Sequence, residues 1–114
     1  MGRDDYYTIA AKILVHLYKA IKSSKPIDMG YLAPGTDDFP ITLEYFLYVL
    51  EMMLRQGFIE GLFIQRAYGG TVYQYDWSKI RILPAGIDYL RENTTVRKIC
   101  ETLKEAAPIA SLFM

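Results

Sequence analysis

A strongly apolar helix that stops at Gly57, a two-stranded hairpin that follows it at once, and a short helix opened by Pro84 predict an α+β fold. The order is that of a winged helix-turn-helix domain. A helix occupies the recognition position, a small antiparallel β-hairpin forms the wing, and two C-terminal helices complete the chain. One winged-helix domain is expected over residues 1–114, with the helical extension over about 84–114.

The first helix is expected from residue 4 or 5 to residue 23. Asp4 and Asp5 suit the positive end of a helix. Ile9, Ile13, Leu17 and Ile21 recur at helical spacing, with Ala10, Leu14 and Tyr18 beside them, and form a core stripe. Lys12, Lys19 and Lys22 lie elsewhere on the wheel. Pro26, just past Ser23 and Ser24, bars continuation. Beyond it, Gly30, Pro34, Gly35 and Pro40 leave room for at most one helical turn, around residues 28–32. A winged helix keeps the brace of its recognition helix in this stretch, and here that brace is degenerate.

Thr42 is the expected N-cap of the next helix, with Ile41 and Phe46 placed as a hydrophobic staple. Leu43, Phe46, Leu47, Leu50, Met53 and Leu54 form its core stripe. The other face holds Glu44, Tyr45, Tyr48, Glu51, Met52 and Arg55. Gly57 supplies a left-handed stop. Residues 58–67 and 71–83 then read as two strands around Tyr68-Gly69-Gly70, a hairpin turn. In the second, Asp76-Trp77-Ser78 is expected to bulge or leave the ladder, and Lys79 and Arg81 point away from Ile80 and Ile82. Pro84 fits the first position of a helix reaching about residue 92, which Asn93 ends. Thr94 or Thr95 is expected to cap a last helix carrying Val96, Ile99, Cys100, Leu103 and Ala107.

Composition narrows the functions. Thirteen basic and thirteen acidic residues give a formal net charge of zero, so nothing global attracts phosphate or an anionic membrane. Any nucleic-acid contact has to come from a local basic patch. One cysteine excludes an internal disulfide and multi-cysteine metal sites. No stretch approaches the roughly 18 apolar residues that would span a membrane, and the first residues carry no secretory signal. A cytoplasmic location is expected.

With these elements placed, a family resemblance emerges. The run Leu54-Arg-Gln-Gly-Phe-Ile-Glu-Gly61, the hairpin, and Leu83-Pro-Ala-Gly-Ile-Asp-Tyr-Leu-Arg-Glu-Asn93 resemble the YjcQ-like proteins. Asn93-Thr-Thr-Val-Arg-Lys-Ile-Cys-Glu-Thr-Leu-Lys-Glu105 continues the likeness. These are small winged-helix proteins of Gram-positive bacteria and their phages or prophages. The resemblance implies a fold and brings no catalytic residues with it. Two departures stand out: Pro84 replaces the usual polar residue, and residues 27–39 do not make a normal second helix.

Catalysis finds no constellation here. No phosphate loop, dinucleotide loop or His/Cys cluster occurs, so no catalytic, cofactor or metal residues are expected and the chain is not expected to be an enzyme. His16, the only histidine, falls at the edge of the apolar stripe, Cys100 sits on an apolar helix face, and Asp37-Asp38 is turn chemistry.

Two binding classes remain open. For nucleic acid, Arg66, Lys79 and Arg81 lie on the hairpin near Tyr73, although the helix ahead of it offers Arg55 against Glu44 and Glu51. The plainer alternative is an ordinary solvated strand face. For protein, Tyr45, Tyr48 and Met52 have i, i+3, i+7 spacing and make one aromatic and Met strip, while Leu112 and Phe113 belong to an apolar tail. A homodimer or a protein partner fits both features, and burial inside the fold is the alternative for each. No small-molecule ligand or membrane partner is indicated. The leading expectation is a phage- or prophage-type accessory protein acting by binding. The alternative is a regulator-like protein contacting DNA through its wing.

Overall fold

The structure, a computed structural model, describes residues 5–94, 97 and 98, the side chain of Tyr73 excepted. Among them the architecture is α+β, with three helices and two small antiparallel strand pairs. α1 spans Tyr6–Ser23, α2 Leu43–Arg55 and α3 Pro84–Glu92. β1 is Ile59–Glu60, β2 Phe63–Arg66, β3 Val72–Asp76 and β4 Arg81–Ile82.

Local signals place each helix where the sequence put it. The Asp5 carboxylate accepts from the Tyr7 N–H at the start of α1, and the Thr42 hydroxyl accepts from the Tyr45 N–H at the start of α2. Gly57, at φ 76°, turns the chain out of α2 into β1. Pro84 opens α3. Helical backbone resumes at Thr94, and the Asn93 carbonyl accepts from the Arg97 N–H. Asn93 therefore occupies the capping place expected for Thr94 or Thr95. Val96, Ile99, Cys100, Leu103 and Ala107 lie outside the described residues.

No second helix forms between α1 and α2. Residues 29–31 make one turn, whose Tyr31 and Leu32 N–H groups donate to the Asp28 carbonyl. Three contacts from other elements hold this loop down. The Lys12 Nζ donates to the Asp38 carbonyl at 2.7 Å, and the Trp77 Nε1–H donates to the Leu32 carbonyl at 3.1 Å. The His16 Nε2 accepts from the Asp28 N–H at 3.2 Å. Lys12 is thus 8% exposed, not on the solvent face. The physical reason is a part-buried backbone carbonyl that takes the ammonium as its donor. Ile21 also departs from its expected place: at the end of α1 it is 47% exposed among the described residues.

The hairpin divides into two ribbons. Ile59 pairs with Ile82 and Glu60 with Arg81, while β2 and β3 pair from Phe63–Asp76 to Arg66–Val72, with a bulge between Gln65 and Arg66. Gly61, at φ 88°, marks the break, where a Cβ would overlap the Lys79 carbonyl. Asp76 is the last paired residue of β3. After it the chain leaves the ladder, as expected, and Trp77 turns into the core. The core cluster runs from α1 (Ile9, Ile13, Leu14, Leu17) through Leu32 and Phe39 to α2 (Phe46, Val49, Leu50, Met53), then Trp77, Ile80, Ile82 and Leu90. Val49 joins the core, whereas Leu54, expected there, is exposed at the far end of α2. Phe46 packs between Phe39 and Trp77, with ring centroids at 5.4 and 5.1 Å. Each such aromatic pair contributes about 0.5–1.5 kcal/mol beyond its buried area. No helix among the described residues is long and apolar enough to cross a membrane.

Candidate functional site

The outer face of α2 is shared between solvent and the start of α1. Tyr48 is 50% exposed, whereas Tyr45 and Met52 are half-buried. The expected open strip is therefore narrower than its spacing implies. Tyr6 closes part of it, with its ring 6.3 Å from Tyr48 and edge-on, while Tyr45 and Tyr48 stack at 6.2 Å. Burial first, and the neighbouring Tyr48, Tyr7 and Tyr45 phenols next, raise the Tyr6 pKa above the ordinary tyrosine value. Tyr6 thus stays a neutral hydroxyl in this cluster.

Beside Tyr48 a groove of about 500 Å³ separates α2 from the β2–β3 ribbon. Leu43, Leu47, Tyr48, Val72 and Tyr75 supply its apolar lining, and Glu44, Glu51 and Arg66 its charges. Strand alternation sets Arg66 on the groove side, and there it is already engaged. Its Nη2 lies 2.6 Å from the Glu51 carboxylate, and its Nη1 donates to the Gly70 carbonyl at 3.0 Å. Glu44 forms no ion pair among the described residues.

The other hairpin cations sit elsewhere. Lys79 and Arg81 line a second groove with the C-terminal end of α1, so these two do not form one patch with Arg66. The Arg81 guanidinium pairs with Glu60 across the β1–β4 ribbon. Lys79 is exposed and has no ion pair among the described residues. Hydrogen bonds from the Ser78 backbone and hydroxyl, aided by the Lys79 charge, lower the Asp76 pKa. Tyr73 lies in β3, with its side chain outside the described part, and Leu112 and Phe113 lie outside the described residues.

Reading the sequence alone missed the Glu51–Arg66 pair and Tyr75 as a groove wall. The signal available was period-two alternation, which places Arg66 and Ile64 on one strand face. Which helix that face meets depends on how the hairpin folds back. His16, half-buried beside Tyr31, serves the loop as an acceptor. Among the described residues no His, Cys, Asp and Glu side chains gather into a group able to hold a metal ion.

The sequence model of the YjcQ protein family matches residues 11–109. The chain belongs to the YjcQ family. The resemblance carried by residues 54–61 and 83–105 is thereby borne out. The YjcQ match takes in all of α2, both ribbons and α3, and hence the α2 groove, while Tyr6 and Tyr7 precede it. No curated protein and no solved structure matches the chain.

Proposed function

We propose that this YjcQ-family chain is a small winged-helix accessory protein, of phage or prophage type, that binds a protein partner and performs no catalysis. The α2 groove receives a partner segment that pairs an apolar side chain with a basic one. One observation carries the reading: Arg66, the cation a duplex would need there, is bound by Glu51, while Tyr48 and Tyr75 stand exposed above an apolar floor. A phosphate backbone entering this groove would have to break that pair, and it would meet Glu44 and Glu51. Tyrosine, by contrast, is enriched at protein interfaces. Glu44, in the first turn of α2, leaves a carboxylate for the partner's cation. The order α2, Gly57, hairpin, α3 supports the winged-helix description, and the prophage setting rests on the family resemblance.

Selection of a random-peptide display library on the immobilised full chain tests the proposal. Enriched peptides are expected to combine Leu, Phe or Tyr with Lys or Arg, and to lose binding to Tyr48→Glu. This surface substitution should leave the circular dichroism spectrum unchanged. Duplex DNA retained at low salt by both proteins, with a steep loss of affinity as salt rises, would instead establish the DNA-binding alternative.

A further inference from the structure

The second groove has the opposite charge. It runs where the end of α1, the chain after it and the turn before β4 meet, and encloses about 430 Å³. Its floor is aliphatic: Leu17, Ala20, Ile21, Ile27 and Ile80. Lys25, Lys79 and Arg81 are its charged lining, and among the described residues no carboxylate lines it. Arg81 is compensated by Glu60, but Lys25 and Lys79 are exposed and make no ion pair among the described residues.

We infer that this groove is a second interaction surface, which receives an acidic peptide segment anchored by an aliphatic side chain. Charge complementarity is joined here to an apolar floor. Ile21 at 47% exposure leaves a contact for a Leu or Ile of the partner, and Lys25 and Lys79 stand beside it to pair with its carboxylates. At the last turn of α1 the Ala20 and Ile21 carbonyls already accept from Lys25 N–H and Ser24 N–H. Nucleic acid fits this surface less well. Single strands stack their bases on aromatic rings, and the described lining of the groove contains none. The inference stands independently of the α2 groove, because the two share no lining residue.

Peptides selected from the same library on the full chain should include a second class, rich in Asp and Glu around Leu or Ile. That class should bind Tyr48→Glu as it binds the wild type. The double variant Lys25→Glu, Lys79→Glu should weaken it by about tenfold or more, and added salt should weaken it too. Both substitutions are on exposed side chains, and the spectrum of the variant confirms its fold. Ile21→Ser should weaken the class without altering its salt dependence. Absence of acidic peptides from the selected pool would overturn the inference, as would acidic peptides that ignore the lysine substitutions. A single-stranded oligonucleotide that outcompetes them and responds to the same variants would overturn it in favour of nucleic acid.

Discussion

Arg66 of the hairpin and Glu51 of α2 stand 2.6 Å apart, and the same guanidinium reaches the Gly70 carbonyl at 3.0 Å. One side chain thus ties the turn of the β2–β3 ribbon to the helix and sets the width of the α2 groove. The pair is partly solvated, so its contribution to global stability is about 0.2–1 kcal/mol. Arg66→Ala should therefore shift the unfolding midpoint little, yet speed hydrogen exchange at the β2–β3 amides. Arg66→Lys should restore only part of the protection, because an ammonium cannot span both acceptors as the guanidinium fork does. Unchanged exchange in the alanine variant would show that other contacts hold the ribbon.

Trp77 fastens the loop between α1 and α2 from the opposite side. Its ring is in the core beside Phe46, and its Nε1–H supplies the Leu32 carbonyl with a donor. Trp77→Phe keeps most of the ring and removes the donor, which should cost about 1–3 kcal/mol for the carbonyl left unpaired. Urea unfolding followed by far-ultraviolet circular dichroism reads this, the single tryptophan being the residue replaced. A midpoint equal to that of the wild type would place the loop's anchor elsewhere.

How much of this was legible depends on the range of each cause. Asp5, Thr42, Gly57 and Pro84 act on the backbone next to them, so the three helices begin and end close to where sequence reading set them. The departure from the ladder after Asp76 was visible too, since a Trp before Ser78 and Lys79 breaks the alternation. Lys12 was not, because its burial answers to the Asp38 carbonyl, 26 residues away. The same holds for Arg66 and Glu51, whose meeting needs the hairpin to fold back on α2, and for Tyr48, whose strip is narrowed by Tyr6 from the other helix. Spacing assigns a face to each residue, and tertiary packing decides what covers that face.

Gly86 tests the contact between α3 and the first ribbon. In an isolated helix Gly86→Ala would add about 1 kcal/mol of stability through helix propensity. Here the new Cβ would lie 2.5 Å from the Phe58 carbonyl oxygen and 2.9 Å from Ile82 Cγ1. Backbone on one side and core on the other leave it no room, and the substitution should lower stability by about 1–3 kcal/mol. A raised thermal midpoint would mean that α3 moves off the ribbon without loss.

The remaining expectation concerns acid. Burial lowers the His16 pKa from its ordinary 6.5; Asp28 opposes the shift and Lys19 adds to it. The geometry agrees, because the Nε2 that accepts the Asp28 N–H cannot accept once protonated. In the window just below the ordinary value the unfolded chain binds more protons at His16 than the folded one. Stability is therefore complete above that value and declines as pH falls through it towards the lower folded pKa. His16 is the only histidine, and carboxylates titrate mostly below about pH 5.5, so the window is nearly its own. The thermal midpoint should fall on going from about pH 7.5 to 5.5, and His16→Gln, which keeps a neutral acceptor, should flatten that slope. Equal slopes in the two proteins would assign the pH dependence to another group, and would leave the Asp28 turn held by the loop itself.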